Sequence, residues 1–140
     1  MFSPDGHWIA YLSNESGRNQ IYVQPYPGPG GKFQVSADGG GEPMWARSGR
    51  ELFYRNSDKM MAVDVTTQPA FAIGSPRTVF AGDYGFLGGS GQLANYDVSP
   101  DGQRFLMLQS NVQEGGVSQI HVVLNWFEEL KRRVPVTSDK

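Results

Sequence analysis

The sequence predicts an all-β fold, and three observations predict it. Its apolar residues fall in short runs that alternate in hydrophobicity, as half-buried strands do. Its 18 glycines and 9 prolines are spread between those runs, which is the punctuation of a chain with many turns. A turn followed by a strand also recurs. Ser3-Pro4-Asp5-Gly6 precedes His7-Trp8-Ile9-Ala10-Tyr11, and Ser99-Pro100-Asp101-Gly102 precedes Gln103-Arg104-Phe105-Leu106-Met107. A degenerate copy, Ala46-Arg47-Ser48-Gly49, precedes Arg50-Glu51-Leu52-Phe53-Tyr54. The closing glycines stand at 6, 49 and 102, at intervals of 43 and 53 residues. A period of that length made of strands predicts a partial β-propeller of about three blades, each a four-stranded antiparallel sheet.

The repeated unit has a physical reading. Proline presets φ for the turn, aspartate bonds the backbone ahead, and glycine takes a positive φ without strain. Asp5, Gly6, Gly49, Asp101 and Gly102 are therefore structural turn residues. After each glycine the apolar residues fall on both faces of the strand: Trp8, Ala10 and Leu12 on one, Ile9 and Tyr11 on the other. Two apolar faces are expected where sheets are stacked on both sides.

In chain order, the first blade spans residues 2–36, with strands at 7–13, 20–24 and 32–36. Only Met1 and Phe2 precede its turn, so its leading strand is missing. The second blade, 42–81, is complete, with strands at 43–46, 51–56, 60–65 and 77–81. A long glycine-rich connection, 81–93, leads to the third blade, 94–124, with strands at 95–98, 103–109 and 117–124. That blade lacks its fourth strand. Asn125 caps a short C-terminal helix, 126–132, on which Trp126, Phe127 and Leu130 share a face, either as a lid on the last blade edge or as a docking helix for a second subunit. Residues 133–140 are a polar tail. Three blades cannot close a ring and leave strand edges open, whereas a homodimer would complete a six-bladed ring.

Composition excludes several classes. At 39% hydrophobic and 12% aromatic residues, the 140-residue chain has the material for a core. Its net charge of −2, without a basic cluster interleaved with aromatics, makes nucleic acid an unexpected partner. Absence of cysteine excludes disulfides and thiolate metal sites. No signal peptide and no apolar run of membrane-spanning length is present, so a soluble chain without membrane insertion is expected.

No motif supplies catalytic, cofactor or metal residues. Gly28-Pro29-Gly30-Gly31-Lys32-Phe33 has a phosphate-loop flavour, but Phe33 stands where a hydroxyl is needed, so it reads as a turn. Gly88-Gly89-Ser90-Gly91 misses the spacing of a nucleophile elbow. His7 and His121 are far apart and outside metal-binding spacings. Asp38-Gly39-Gly40-Gly41-Glu42 offers oxygens for a hard cation at a rim, without the alternating carboxylates of a calcium loop. Asn14-Glu15-Ser16 is a sequon that fits a surface turn.

Longer stretches carry a resemblance. Phe2-Ser3-Pro4-Asp5-Gly6-His7-Trp8-Ile9-Ala10-Tyr11, Ile21-Tyr22-Val23 and Gly30-Gly31-Lys32 resemble the WD40-like PD40 repeats of TolB-type six-bladed propellers. With Gly49-Arg50-Glu51-Leu52-Phe53-Tyr54, Tyr96-Asp97-Val98-Ser99-Pro100-Asp101-Gly102 and Val122-Val123-Leu124-Asn125-Trp126-Phe127, nearly the whole chain is similar to the C-terminal half of the propeller that ends certain bacterial membrane-linked serine/threonine kinases. The resemblance implies a non-catalytic protein-interaction or ligand-sensing module, extracytoplasmic if it belongs to such a kinase. Its partner, a protein or small molecule, would meet loops at the ring face or axis. The kinase glycine-rich loop, strand lysine and His-Arg-Asp loop are absent, so the expectation is no enzyme. The alternatives are a substrate-gating propeller piece of a prolyl-oligopeptidase-type peptidase and a truncated relic without independent function.

Overall fold

The structure, a computed structural model, describes residues 1–84 and 94–108. Among these residues the fold is all-β, with antiparallel sheets and no helix. The predicted strand at 117–124, the helix at 126–132 and the tail lie outside the described residues.

The first sheet is a meander of β1 (Trp8–Ser13), β2 (Gln20–Pro25) and β3 (Phe33–Gln34). β1 and β2 pair along their whole length, from Trp8 opposite Pro25 to Ser13 opposite Gln20. No strand precedes β1 in this sheet, but Met1 and Phe2 still touch its edge. The Ala10 N–H donates to the Met1 carbonyl at 2.9 Å, and Phe2 forms an antiparallel bridge to Ile9.

The second sheet contains β4 (Gly41–Trp45), β5 (Glu51–Asn56) and β6 (Lys59–Thr66). β5 and β6 form a hairpin with a two-residue loop, in which Ser57 holds φ at 57°, the sign that hairpin turns matching the strand twist require. The outer row is not the single strand expected from the sequence. β7 (Ala72–Ile73) pairs with Val65 and Thr66, while β8 (Arg77–Ala81) pairs with Lys59 to Ala62 on the same strand. Gly74-Ser75-Pro76 separates the two, and a proline, lacking an N–H, cannot continue a ladder there. The third sheet, as described, is β9 (Tyr96–Val98) paired with β10 (Phe105–Met107).

Strand alternation sends alternate side chains into two separate cores. Ala10, Ile21, Val23 and Val35 of the first sheet pack with Trp45, Leu52, Tyr54, Val63 and Val65 of the second. From the second sheet's other face, Phe53, Met60 and Ala62 pack with Tyr96, and with the half-buried Val98, Phe105 and Met107, of the third. The second sheet is thus covered on both faces. Leu52 and Phe53, adjacent in sequence and both buried, serve different cores.

Candidate functional site

The three turns form the same hydrogen-bonded loop. In the first, the Ser3 N–H donates to the Trp8 carbonyl at 2.8 Å and the Gly6 N–H to the Ser3 carbonyl at 2.9 Å. The Ser3 hydroxyl donates to Asp5 Oδ1 at 2.6 Å and accepts from the Trp8 N–H at 3.0 Å, while the same Asp5 oxygen accepts from the His7 N–H. Ser99, Asp101, Gly102, Gln103 and Arg104 repeat this pattern bond for bond. In the degenerate copy the backbone bonds remain, Ala46 N–H to Glu51 carbonyl and Gly49 N–H to Ala46 carbonyl, both at 2.9 Å. Ser48 takes over part of the aspartate's task, accepting from the Arg50 N–H at 3.3 Å. Gly6, Gly49 and Gly102 hold φ at 73°, 69° and 72°, where an L side chain is disfavoured.

These bonds also set the electrostatics. Hydrogen bonds from the Ser3 hydroxyl and then the His7 N–H hold the Asp5 carboxyl below its ordinary value, and Ser99 and Gln103 do the same for Asp101. Both carboxylates are fixed acceptors inside their turns.

The turns meet along one end of the stacked sheets. A methyl group placed on Gly49 would sit 3.8 Å from Pro4 Cδ, and one on Gly102 would sit 3.7 Å from Glu51 Oε2. Between the first two turns and the strand after them opens a cleft of about 910 Å³. Its lining includes the acidic Asp5, Glu51 and Asp64, the basic Arg50, and Ser48 and Thr66. Glu51 is paired with Arg77, which leaves Asp5 and Asp64 as its outlying negative charges. Arg50 on the same wall offsets one of them, so the cleft is polar with an excess of one negative charge, which leans toward a ligand carrying positive charge. Among the described residues no group of three or more His, Asp or Glu side chains is arranged to hold a metal ion.

The remaining sequence candidates separate. His7 is exposed beside Asp5, with Nδ1 3.8 Å from Oδ2. Lys32 does not sit in a phosphate cradle: its Nζ pairs with Glu15 at 2.6 Å and lies 5.6 Å from the Tyr22 ring centroid. Asp38 and Glu42, paired in sequence as possible cation ligands, part company. Asp38 is exposed near Arg18, whereas Glu42 is fully buried at the start of β4. His121 and Gly88-Gly89-Ser90-Gly91 lie outside the described residues.

Sequence reasoning missed the buried polar cluster around Glu42. Glu42 Oε2 accepts from the Asn95 N–H at 3.3 Å, and the Glu42 carbonyl accepts from the Tyr96 hydroxyl at 2.8 Å. Arg55, also buried, donates to the carbonyls of Ser57 and Tyr84. Burial foremost, and then the Glu42 charge, raises the Tyr96 phenol well above its usual range, so it remains a neutral donor. The available signal was the run Gly39-Gly40-Gly41. A Cβ on Gly40 would come within 2.9 Å of Tyr54 and 3.1 Å of Ile21, so the chain enters β4 pressed against the core.

Compared with known protein families and with curated proteins, the chain matches none.

Proposed function

We propose that this chain is a segment of a TolB-like, WD40-like propeller that acts as a non-catalytic protein-interaction or ligand-sensing module, akin to the C-terminal sensor region of bacterial serine/threonine kinases. The observation that supports it is the same hydrogen-bonded turn repeated at one end of three stacked sheets. In a stack of repeats, the loops at one end form a continuous surface whose side chains vary while the frame stays constant. The cleft between the first two turns is the binding surface in this reading, and its ligand is a peptide segment bearing lysine or arginine.

Titration with short basic, neutral and acidic peptides, followed by backbone amide resonances, tests this. Basic peptides are expected to shift Ser3, Asp5, Ser48, Arg50 and Thr66. The double variant Asp5→Lys with Asp64→Lys is expected to reverse the preference. Shifts confined to other surfaces, or equal response to all three peptide classes, would refute the reading.

A further inference from the structure

We infer that the outward face of the first sheet is a docking surface for a second copy of this chain, which presents the outward face of its third sheet. The inference follows from which faces are already matched. Calling the face of Ile9, Leu52 and Phe105 odd and that of Ala10, Phe53 and Leu106 even, the even face of the first sheet covers the odd face of the second. The even face of the second then covers the odd face of the third. Two faces remain among the described residues, the odd face of the first sheet and the even face of the third. By the same rule they are each other's mates.

Both carry apolar side chains set among polar ones: Gln24 and Gln34 share the odd face of the first sheet, and Asp97 lies opposite Leu106 on the even face of the third. On the first sheet, strand pairing puts Phe2, Ile9, Tyr11 and Tyr22 on the odd face. Phe2 is 52% exposed and meets Tyr26, itself 49% exposed, edge to face at 5.0 Å, and Tyr11 stacks on Tyr22 at 6.0 Å. On the third sheet Leu106 is 71% exposed, and Leu108, just past the end of β10, is 46% exposed, while Phe105 between the sheets is half-buried. The assignment of the third sheet's outward face therefore rests on the repeat of the face pattern, with the open Leu106 at its centre.

Among the described residues these two faces cannot meet each other, because the second sheet stands between them with both of its faces covered. A second copy supplies the missing mate without any new chemistry. The contact is therefore head to tail, with different patches meeting, and not the same patch on both partners. The existing interface predicts the register. Phe53 meets Phe105 with ring centroids 5.1 Å apart. One repeat further on, the residue in Phe53's place is Leu106, and the residue in Phe105's place on the first sheet is Ile9. Leu106 of one copy should thus lie against Ile9 of the next.

The pairing rests on the stacked-segment reading above but not on peptide binding at the cleft, so the two can fail separately. Because the chain has no cysteine, engineered thiols report contacts without background. The variants Ile9→Cys and Leu106→Cys are oxidised mildly, alone and mixed. The mixture is expected to give a disulfide-linked dimer of one chain of each kind, exceeding self-linked species by about tenfold or more, since docking raises the local thiol concentration. Wild-type mass by light scattering should rise above the monomer with concentration, and Leu106→Asp should return it to the monomer with the circular dichroism spectrum unchanged. A wild-type monomer at every concentration, or Leu106→Cys chains linking to each other as readily as to Ile9→Cys chains, would overturn the inference.

Discussion

Ser3 and Ser99 each donate to the aspartate two positions on and accept from an N–H five positions on, so one hydroxyl closes each turn from both sides. The carboxylates that accept these bonds hold their protons more weakly in the folded chain than in the unfolded one. Between the two values the unfolded chain binds more protons, so this contribution is complete above about pH 4 and is lost as pH falls through the lowered folded values. Replacing Asp5 and Asp101 together by Ala should therefore flatten the acid limb of a stability profile measured by urea denaturation. Tyr96 predicts the opposite limb. Its raised value leaves stability intact below about pH 10 and removes it as pH rises further. Tyr96→Phe should weaken that limb, to which the raised Tyr54 and Tyr11 phenols also contribute, and cost about 1–2 kcal/mol at neutral pH, the loss of one buried hydrogen bond to the Glu42 carbonyl. At Gly6 a methyl group would meet nothing within 4 Å, so the cost of Gly6→Ala is backbone strain alone, about 1–2 kcal/mol by the same denaturation. The turn residues were legible in sequence because their chemistry is local. Glu42 was not, since a carboxylate among glycines reads as surface unless the packing of Gly40 against Tyr54 is known.

At the scale of strands, alternation located β5 and β8 with their observed ends and β1, β2 and β6 to within one residue. It missed β7, because two residues show no period, and it left Met1 and Phe2 unpaired, because a bridge depends on what lies opposite and not on the residues themselves. It did anticipate two apolar faces, and those faces make a sharp prediction. Phe53 and Phe105 meet edge to face, so a double-mutant cycle of Phe53→Leu with Phe105→Leu should show a coupling of about 0.5–1.5 kcal/mol. Leu52, one residue earlier, faces the other core. The cycle of Leu52→Ala with Phe105→Leu should return a coupling near zero. Equal couplings in the two cycles would mean that the sheet transmits strain between its faces and that the two cores are not separate.

For the whole described fold, the consequence of two separate cores is that stability should follow nearest neighbours, as it does in stacked repeats. The second sheet has neighbours on both faces, whereas the first and third each have one among the described sheets. Amides of β5 and β6 should therefore exchange most slowly. Those of β9 and β10, held by a smaller group of fully buried residues and a single short strand pair, should exchange fastest among the long-range pairings. Perturbing one core should then act on one side only. Phe53→Ala removes the ring that meets Phe105 and should speed exchange at Tyr96–Val98 and Phe105–Met107 while leaving β1 and β2 as they were. Leu52→Ala, costing about 2–5 kcal/mol for a buried aliphatic side chain, should speed exchange in β1 and β2 at least as much as in β9 and β10. Native-state hydrogen exchange at low denaturant resolves both patterns. If either variant depresses protection in all three sheets by the same factor, the fold opens as one cooperative unit, and the sheet-by-sheet account of its stability is wrong even though every contact in it is present.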